Sequence, residues 1–318
     1  MMARASQHRW DEEKKEEKYY LFQYGMANGL WECREELAQF LTRKYGDPVE
    51  RQNLVLTCGA THGLTLILNN IISPNGVIFV EDLTYMVALE LFKQFPLLKI
   101  VPVPLKDDSI DLDTLEKLAS AERERSCILN KDKIFWAMFY SIPTFHNPTG
   151  ISLGPVRVGW MECSPKVVNI MKNSGVMNCG GAVNHFMSGT IASFLHLGLA
   201  DEYLDVANEN FKNKLSEFCN ILDKYLPRGC SYKRPKGGYY VWLELPKEMD
   251  GFKFIEWSKE NYKVTAIPGA QFSYSKSFKN FLRLCFTFHS IETLRKAAQR
   301  LCEGLDDYGT HIFALKVK

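Results

Sequence analysis

Between residues 53 and 140, short apolar segments alternate with segments of helical period, and this alternation constrains the fold more than any other feature. The apolar segments 53–57, 77–81, 99–103 and 133–140 read as strands. The intervening segments 61–72, 84–95 and 113–121 repeat apolar residues at helical spacing, the last with Asp113 as its expected N-cap. Strands this uniformly apolar need cover on both faces, and strand–helix–strand connections return parallel to where they started. An α/β fold is predicted, three layers around a mostly parallel sheet. Ligands on such a sheet sit in loops beyond the carboxyl ends of the strands.

Upstream, residues 29–46 read as a helix, with Leu30, Leu37, Phe40, Leu41 and Tyr45 near helical spacing and Gly46 as its stop. Downstream the pattern changes. Long helices over 181–197 and 201–226 precede a strand at 239–243, a helix at 252–261, a strand at 281–286 and a helix at 291–305. That mixture predicts a smaller α+β domain, and the residues after Leu305 are expected to form a loose tail. The resulting division is an N-terminal segment, 1–52, contributing to the small domain, a large domain at 53–200, and a C-terminal small domain at 201–318.

Composition narrows the function classes. A 46% hydrophobic chain can bury a sizeable core. Its net charge of +2 sets up no field for nucleic acid or an acidic membrane. Nine cysteines at irregular spacing, with no Cys-x-x-Cys pair, read as reduced thiols and not as a disulfide framework or a zinc site. The apolar runs fall short of the ~20 residues of a membrane span, and the polar N-terminus with its charge run at 11–18 has no signal-peptide character. A cytoplasmic protein with no structural metal is expected.

Four places carry chemistry. Leu56-Thr57-Cys58-Gly59-Ala60-Thr61-His62-Gly63 is a strand, a small-residue turn and a helix start, where free N–H groups favour phosphate; taken alone, a plain strand-to-helix turn is the commoner explanation. His146-Asn147-Pro148-Thr149-Gly150 follows an apolar strand, and Pro148 restricts Asn147 to an extended or turn conformation. Arg283 in Phe281-Leu282-Arg283-Leu284-Cys285-Phe286 sits in an apolar strand and needs a partner, either a ligand carboxylate or an internal Asp or Glu. Tyr85 follows another strand, where its ring can stack on a flat cofactor or fill the core.

The order of these elements says more than any one of them. Tyr24-Gly25, Gly29 with Leu37, Cys58-Gly59-Ala60-Thr61, Glu81 to Tyr85, Asn147-Pro148-Thr149-Gly150, Arg157-Val158-Gly159-Trp160, Gly237-Gly238-Tyr239 and Phe281-Leu282-Arg283 form a series from about residue 21 to about residue 305. The series resembles the class I/II aminotransferases, pyridoxal 5′-phosphate (PLP) enzymes of fold type I, and within them the 2-aminoadipate and aromatic types. The resemblance implies transfer of an amino group from an amino acid to a 2-oxo acid. It implies that Gly59, Ala60 and Thr61 cradle the cofactor phosphate, that Arg157 pairs with it, and that Tyr85 stacks on the pyridine ring. Asn147 would bond the phenolic oxygen beside the substrate, and Arg283 would hold the substrate carboxylate. Tyr24 would reach the phosphate of a neighbouring subunit, which implies a homodimer. Cys33, Cys58 and His62 depart from the family pattern.

One departure is larger. In the family, Asn-Pro-Thr-Gly is followed by a unit ending in an aspartate and a tyrosine, then by one ending in the lysine that forms the Schiff base with PLP, and only then by Arg-Val-Gly-Trp. Here six residues separate Gly150 from Arg157, whereas one βαβ unit takes ~30. The resemblance therefore implies that this chain has no such lysine, no aspartate for the pyridine nitrogen, and too few strands for an unbroken sheet. Lys166, beyond the junction, is expected on a helix surface and not as a substitute. The family's N-terminal arm is also expected to be missing. A shortened form of a longer aminotransferase is the first reading. A non-catalytic subunit pairing with a full-length relative, and an α/β ligand-binding protein without vitamin B6, are the alternatives.

Overall fold

A computed structural model describes residues 1–16, 20–106, 109–125, 133–142, 157–179 and 184–316. The first half contains α1 (Met2–Glu16), α2 (Trp31–Tyr45), β1 (Leu54–Thr57), α3 (Ala60–Asn70), β2 (Ile72–Glu81), α4 (Met86–Lys93), β3 (Lys99–Val103), β4 (Leu105–Lys106), β5 (Ser109–Ile110), α5 (Leu112–Arg125) and β6 (Phe135–Tyr140). The second contains β7 (Gly159–Glu162), α6 (Pro165–Lys172), α7 (Gly175–Asn178), α8 (His185–His196), α9 (Leu199–Tyr225), β8 (Ser231–Tyr232), β9 (Tyr240–Glu244), α10 (Gly251–Asn261), β10 (Ile267–Pro268), β11 (Phe281–Cys285) and α11 (Ile291–Lys316). The fold is α/β with a parallel strand pair, as the alternation predicts: β2 and β3 run parallel in the register Val77↔Lys99 to Glu81↔Val103.

The described residues group into two units. The first comprises those within Met1–Gly76, Ile128–Ala137 and Leu153–Val206; the second those within Val77–Cys127, Met138–Ser152 and Ala207–Lys318.

In the first unit, Cys33, Leu37, Ala38 and Leu41 form one buried stripe of α2, packed with Leu54 and Leu56 of β1 and with Ala192 and Leu195 of α8. The helix stops at Gly46, whose N–H reaches the Thr42 carbonyl at 3.0 Å. β1 is buried along its whole length and pairs antiparallel with β7. The charge run at the N-terminus, read only as polar, ends a helix. α1 buries Ala5, and its Arg9 is paired with Glu13 and, at 2.7 Å, with Glu32 of α2. Lys166 lies exposed on α6, as expected.

In the second unit, β2 lies between β3 and β6, and a separate sheet has the order β10-β11-β9-β8. Strands β9 and β11 alternate cleanly. Val241, Leu243, Leu282 and Leu284 face a core built with Phe218, Leu222, Phe254 and Leu301 from α9, α10 and α11. Tyr240, Trp242, Phe281 and Arg283 occupy the other face.

Two expectations need correction. The cap of α5 is Asp111, whose carboxylate accepts from the Thr114 N–H at 3.0 Å and the Thr114 hydroxyl at 2.8 Å, and Asp113 lies inside the first turn. The helix expected to end at Leu305 continues to Lys316, so no loose tail begins there. Among the described strands the sheet is broken in two, β1 with β7 and β3-β2-β6, in keeping with the expectation of too few strands for an unbroken one. The predicted start of α8, at 181, lies outside the described residues, as do Asn147 and the 153/154 junction. No helix among the described residues is long and apolar enough to cross a membrane.

Candidate active site

The β1/β7 register builds the first part of the site. Thr57 faces Gly159, so the antiparallel count continued two residues further sets Gly59 opposite Arg157. The side chains follow: Arg157 Nη2 donates to the Cys58 carbonyl at 3.1 Å. Asn184 fixes the base of this arginine, its Nδ2 donating to the Arg157 carbonyl at 2.7 Å.

Gly59 has φ 87° and ψ 168°, a region that is essentially glycine's alone. A Cβ there would lie 2.9 Å from Arg157 Nη2, and one on Gly159 would lie 2.8 Å from the Gly59 Cα. The two strands thus meet glycine on glycine, with the guanidinium above. Gly59 also caps α3, whose first intrahelical bond runs from the Gly63 N–H to the Gly59 carbonyl at 3.2 Å. The N–H groups of Ala60, Thr61 and His62 precede that bond and have no intrahelical acceptor. Ala60 and Thr61 are exposed. A cation, a helix N-terminus and a glycine turn converge in one corner, which is suited to a phosphate-like anion.

His62, unassigned in the sequence beyond its departure from the family, closes the turn. The Cys58 N–H donates to His62 Nδ1 at 3.1 Å, and burial lowers the imidazole pKa. The neutral ring is therefore the folded form. Its contribution to stability is expected to be complete above about pH 6.5, the ordinary imidazole value, and to be lost as pH falls, because the unfolded chain takes up the proton first. Urea midpoints between about pH 5 and about pH 8 should show this loss in the parent chain and its absence in His62→Gln.

The second unit holds Tyr85 and Arg283. Tyr85, half-buried, caps α4 just beyond the end of β2. Its loop is tied down by the Thr84 N–H donating to the Phe272 carbonyl at 2.7 Å, and by Ser273 and Ser275 hydroxyls donating to Asp82 Oδ1 at 3.0 and 2.8 Å. Tyr85 is close enough to Tyr140, Tyr240 and Arg283 to interact with each electrostatically. Burial, then Tyr85 and Glu81, push the Tyr140 phenol up to about 12.

Arg283 is buried, and burial lowers its pKa. Two aromatic rings flank its guanidinium, Tyr240 at 3.9 Å and Phe272 at 4.9 Å from ring centroid to Cζ. The residues alone suggested an internal acid or a ligand; the negative faces of the rings were not anticipated. The strand alternation that puts Arg283 and Tyr240 on one face was the available signal. Tyr24 is 88% exposed. The structure thus brings Gly59 and Arg157 together in one unit and Tyr85 and Arg283 together in the other.

The fold is that of an α/β protein with a glycine turn, a helix N-terminus and an arginine brought together. The chain belongs to the aminotransferase class I and II family, whose model matches residues 3–155 and 152–301. The two matched stretches meet between Gly150 and Arg157. Aromatic-amino-acid aminotransferase 1 of Thermococcus litoralis is 25% identical over 346 residues, covering 90% of this chain and 80% of the relative. That alignment is longer than the whole 318-residue chain, so the relative has residues with no counterpart here. The 2-aminoadipate transaminase of Thermus thermophilus is 23% identical, covering 89% and 81%. Kynurenine aminotransferase of Pyrococcus horikoshii, solved with PMP, superposes with a TM-score of 0.81 at 20% identity, covering 96% of this chain and 87% of that one.

Proposed function

We propose that this chain is a PLP-binding member of the aminotransferase family that cannot turn over efficiently, because it lacks the lysine that links the cofactor. The Gly59–Arg157 corner carries the first half of this reading. The missing Cβ of Gly59 lets the Arg157 guanidinium lie against the turn, and a phosphate monoester fits the charge and donor set found there. Bound PLP supplies an aldehyde for the substrate amino group and an electron-accepting ring. Gly59, Ala60, Thr61 and Arg157 hold the phosphate, Tyr85 packs against the ring, Asn147 bonds its phenolic oxygen, and Arg283 orients the carboxylate of an amino acid or 2-oxo acid.

Three facts support the second half: the six residues between Gly150 and Arg157, the family match in two stretches, and the alignment that outruns the chain. Without a lysine amine beside the substrate Cα, none of these named groups moves the proton that amino transfer requires. The family's division into a large domain at 53–200 and small-domain parts at 1–52 and 201–318 belongs to this reading. So does a homodimer in which Tyr24 reaches the partner's phosphate site, and a cytoplasmic location, which the eight described free thiols suit.

The test is a titration of the full chain with PLP, followed by an amino acid and then by borohydride. Saturable binding that competes with inorganic phosphate is expected, with no lysine-linked absorption band and no single lysine carrying reduced cofactor by mass spectrometry. Stoichiometric labelling of one lysine, with a spectral change on adding amino acid, would overturn the proposal.

A further inference from the structure

We infer that Tyr240 is a positioning residue for Arg283: with Phe272 it forms an aromatic clamp that holds the guanidinium in the orientation needed to receive a carboxylate. This rests on the reading of Arg283 as the carboxylate-binding residue, and adds to it what sets the strength of that site.

The register makes the clamp. Arg283 lies opposite Trp242 and Cys285 lies opposite Tyr240, so Tyr240, Trp242, Phe281 and Arg283 share the face of the sheet turned away from its core. The Tyr240 ring stacks against the guanidinium at 3.9 Å, and Phe272 approaches it at 4.9 Å. Phe272 is held in turn: it is fully buried and meets Trp242 edge-on at 5.7 Å, while Trp242 stacks on Phe281 at 5.4 Å. The turn carrying Phe272 comes this close because Gly269 has no side chain; a Cβ there would lie 2.6 Å from Phe281 Cβ and 3.0 Å from Trp242.

The chemistry favours this arrangement. The five N–H donors of a guanidinium lie in its plane. Aromatic rings engage a cation through its charge and do not compete for in-plane hydrogen bonds. Ring faces therefore restrict the guanidinium without themselves taking up its in-plane donors, and the rotamer freedom it loses before the ligand arrives lowers the ordering cost of binding. A lysine ammonium has no plane to be clamped, so Arg283→Lys keeps the charge and loses the device.

The experiment uses the full chain with PLP, with phenylpyruvate as the carboxylate probe and phenylacetone as the same ring without the carboxylate, both followed by calorimetry. Tyr240→Leu is expected to weaken phenylpyruvate binding about tenfold, Tyr240→Phe to restore it to within about twofold, and neither to change phenylacetone binding. Tyr240 is half-buried, and thermal midpoints of the two variants separate a folding defect from a clamp defect. A purely structural role would weaken both ligands alike in Tyr240→Leu, and that result overturns the clamp. Unchanged phenylpyruvate binding in Tyr240→Leu also overturns it, while a large loss in Arg283→Gln in the same series leaves the Arg283 reading intact. No effect of Arg283→Gln, or no phenylpyruvate binding by the parent chain, overturns the Arg283 reading and the clamp with it.

Discussion

Replacing Gly59 by valine is expected to lower the affinity of the full chain for PLP by on the order of 100-fold. Two effects act together. At φ 87° and ψ 168° a branched side chain is forced into backbone space that L-residues avoid, at a cost of roughly 1–3 kcal/mol. The new Cβ also lies 2.9 Å from Arg157 Nη2 and must push the guanidinium off the corner. Arg157→Gln, which removes the cation but leaves the turn, should lose less, about tenfold. Equilibrium dialysis with PLP, repeated with inorganic phosphate as competitor, measures both. Parent-like affinity in Gly59→Val would mean that the phosphate sits elsewhere.

The second large effect concerns stability. Arg9→Ala should destabilise the chain by about 3–5 kcal/mol, the usual cost of removing one partner of a buried ion pair. Glu13 is 3% exposed and would be left with a buried, uncompensated carboxylate, and Glu32 of α2 would lose its link to α1. The double change Arg9→Met with Glu13→Leu removes both charges and should recover most of the loss. Urea unfolding of the parent chain and the two variants decides the matter. A shift below about 1 kcal/mol for Arg9→Ala would show that α1 contributes little to the fold.

The strands and helices between residues 53 and 140 were legible because burial writes its period directly into the sequence. β3 appears with its predicted bounds, and α2 within one or two residues of its own. What escaped was set by partners distant in the chain. β7 is only four residues with two of them exposed, too short to show a period, and it becomes a strand by pairing with β1 about a hundred positions earlier. α1 is polar along most of its length, and its inward face is marked by a paired arginine and glutamate where an apolar stripe would ordinarily stand. In the site, the turn at Gly59 and the motif at Arg157 were each visible, but their meeting depends on register. The arginine in β11 announced that it needed company, and two rings are part of that company, which the residues alone did not foretell.

β6 carries one more consequence. Phe135 to Tyr140 are six apolar residues, Phe135 exposed and the rest only partly buried, on a strand at the margin of its sheet among the described strands. A strand margin of this composition recruits other chains and the chaperones that patrol for extended hydrophobic segments. A charge introduced at Met138 would change the protein's abundance and leave the Gly59–Arg157 corner as it is.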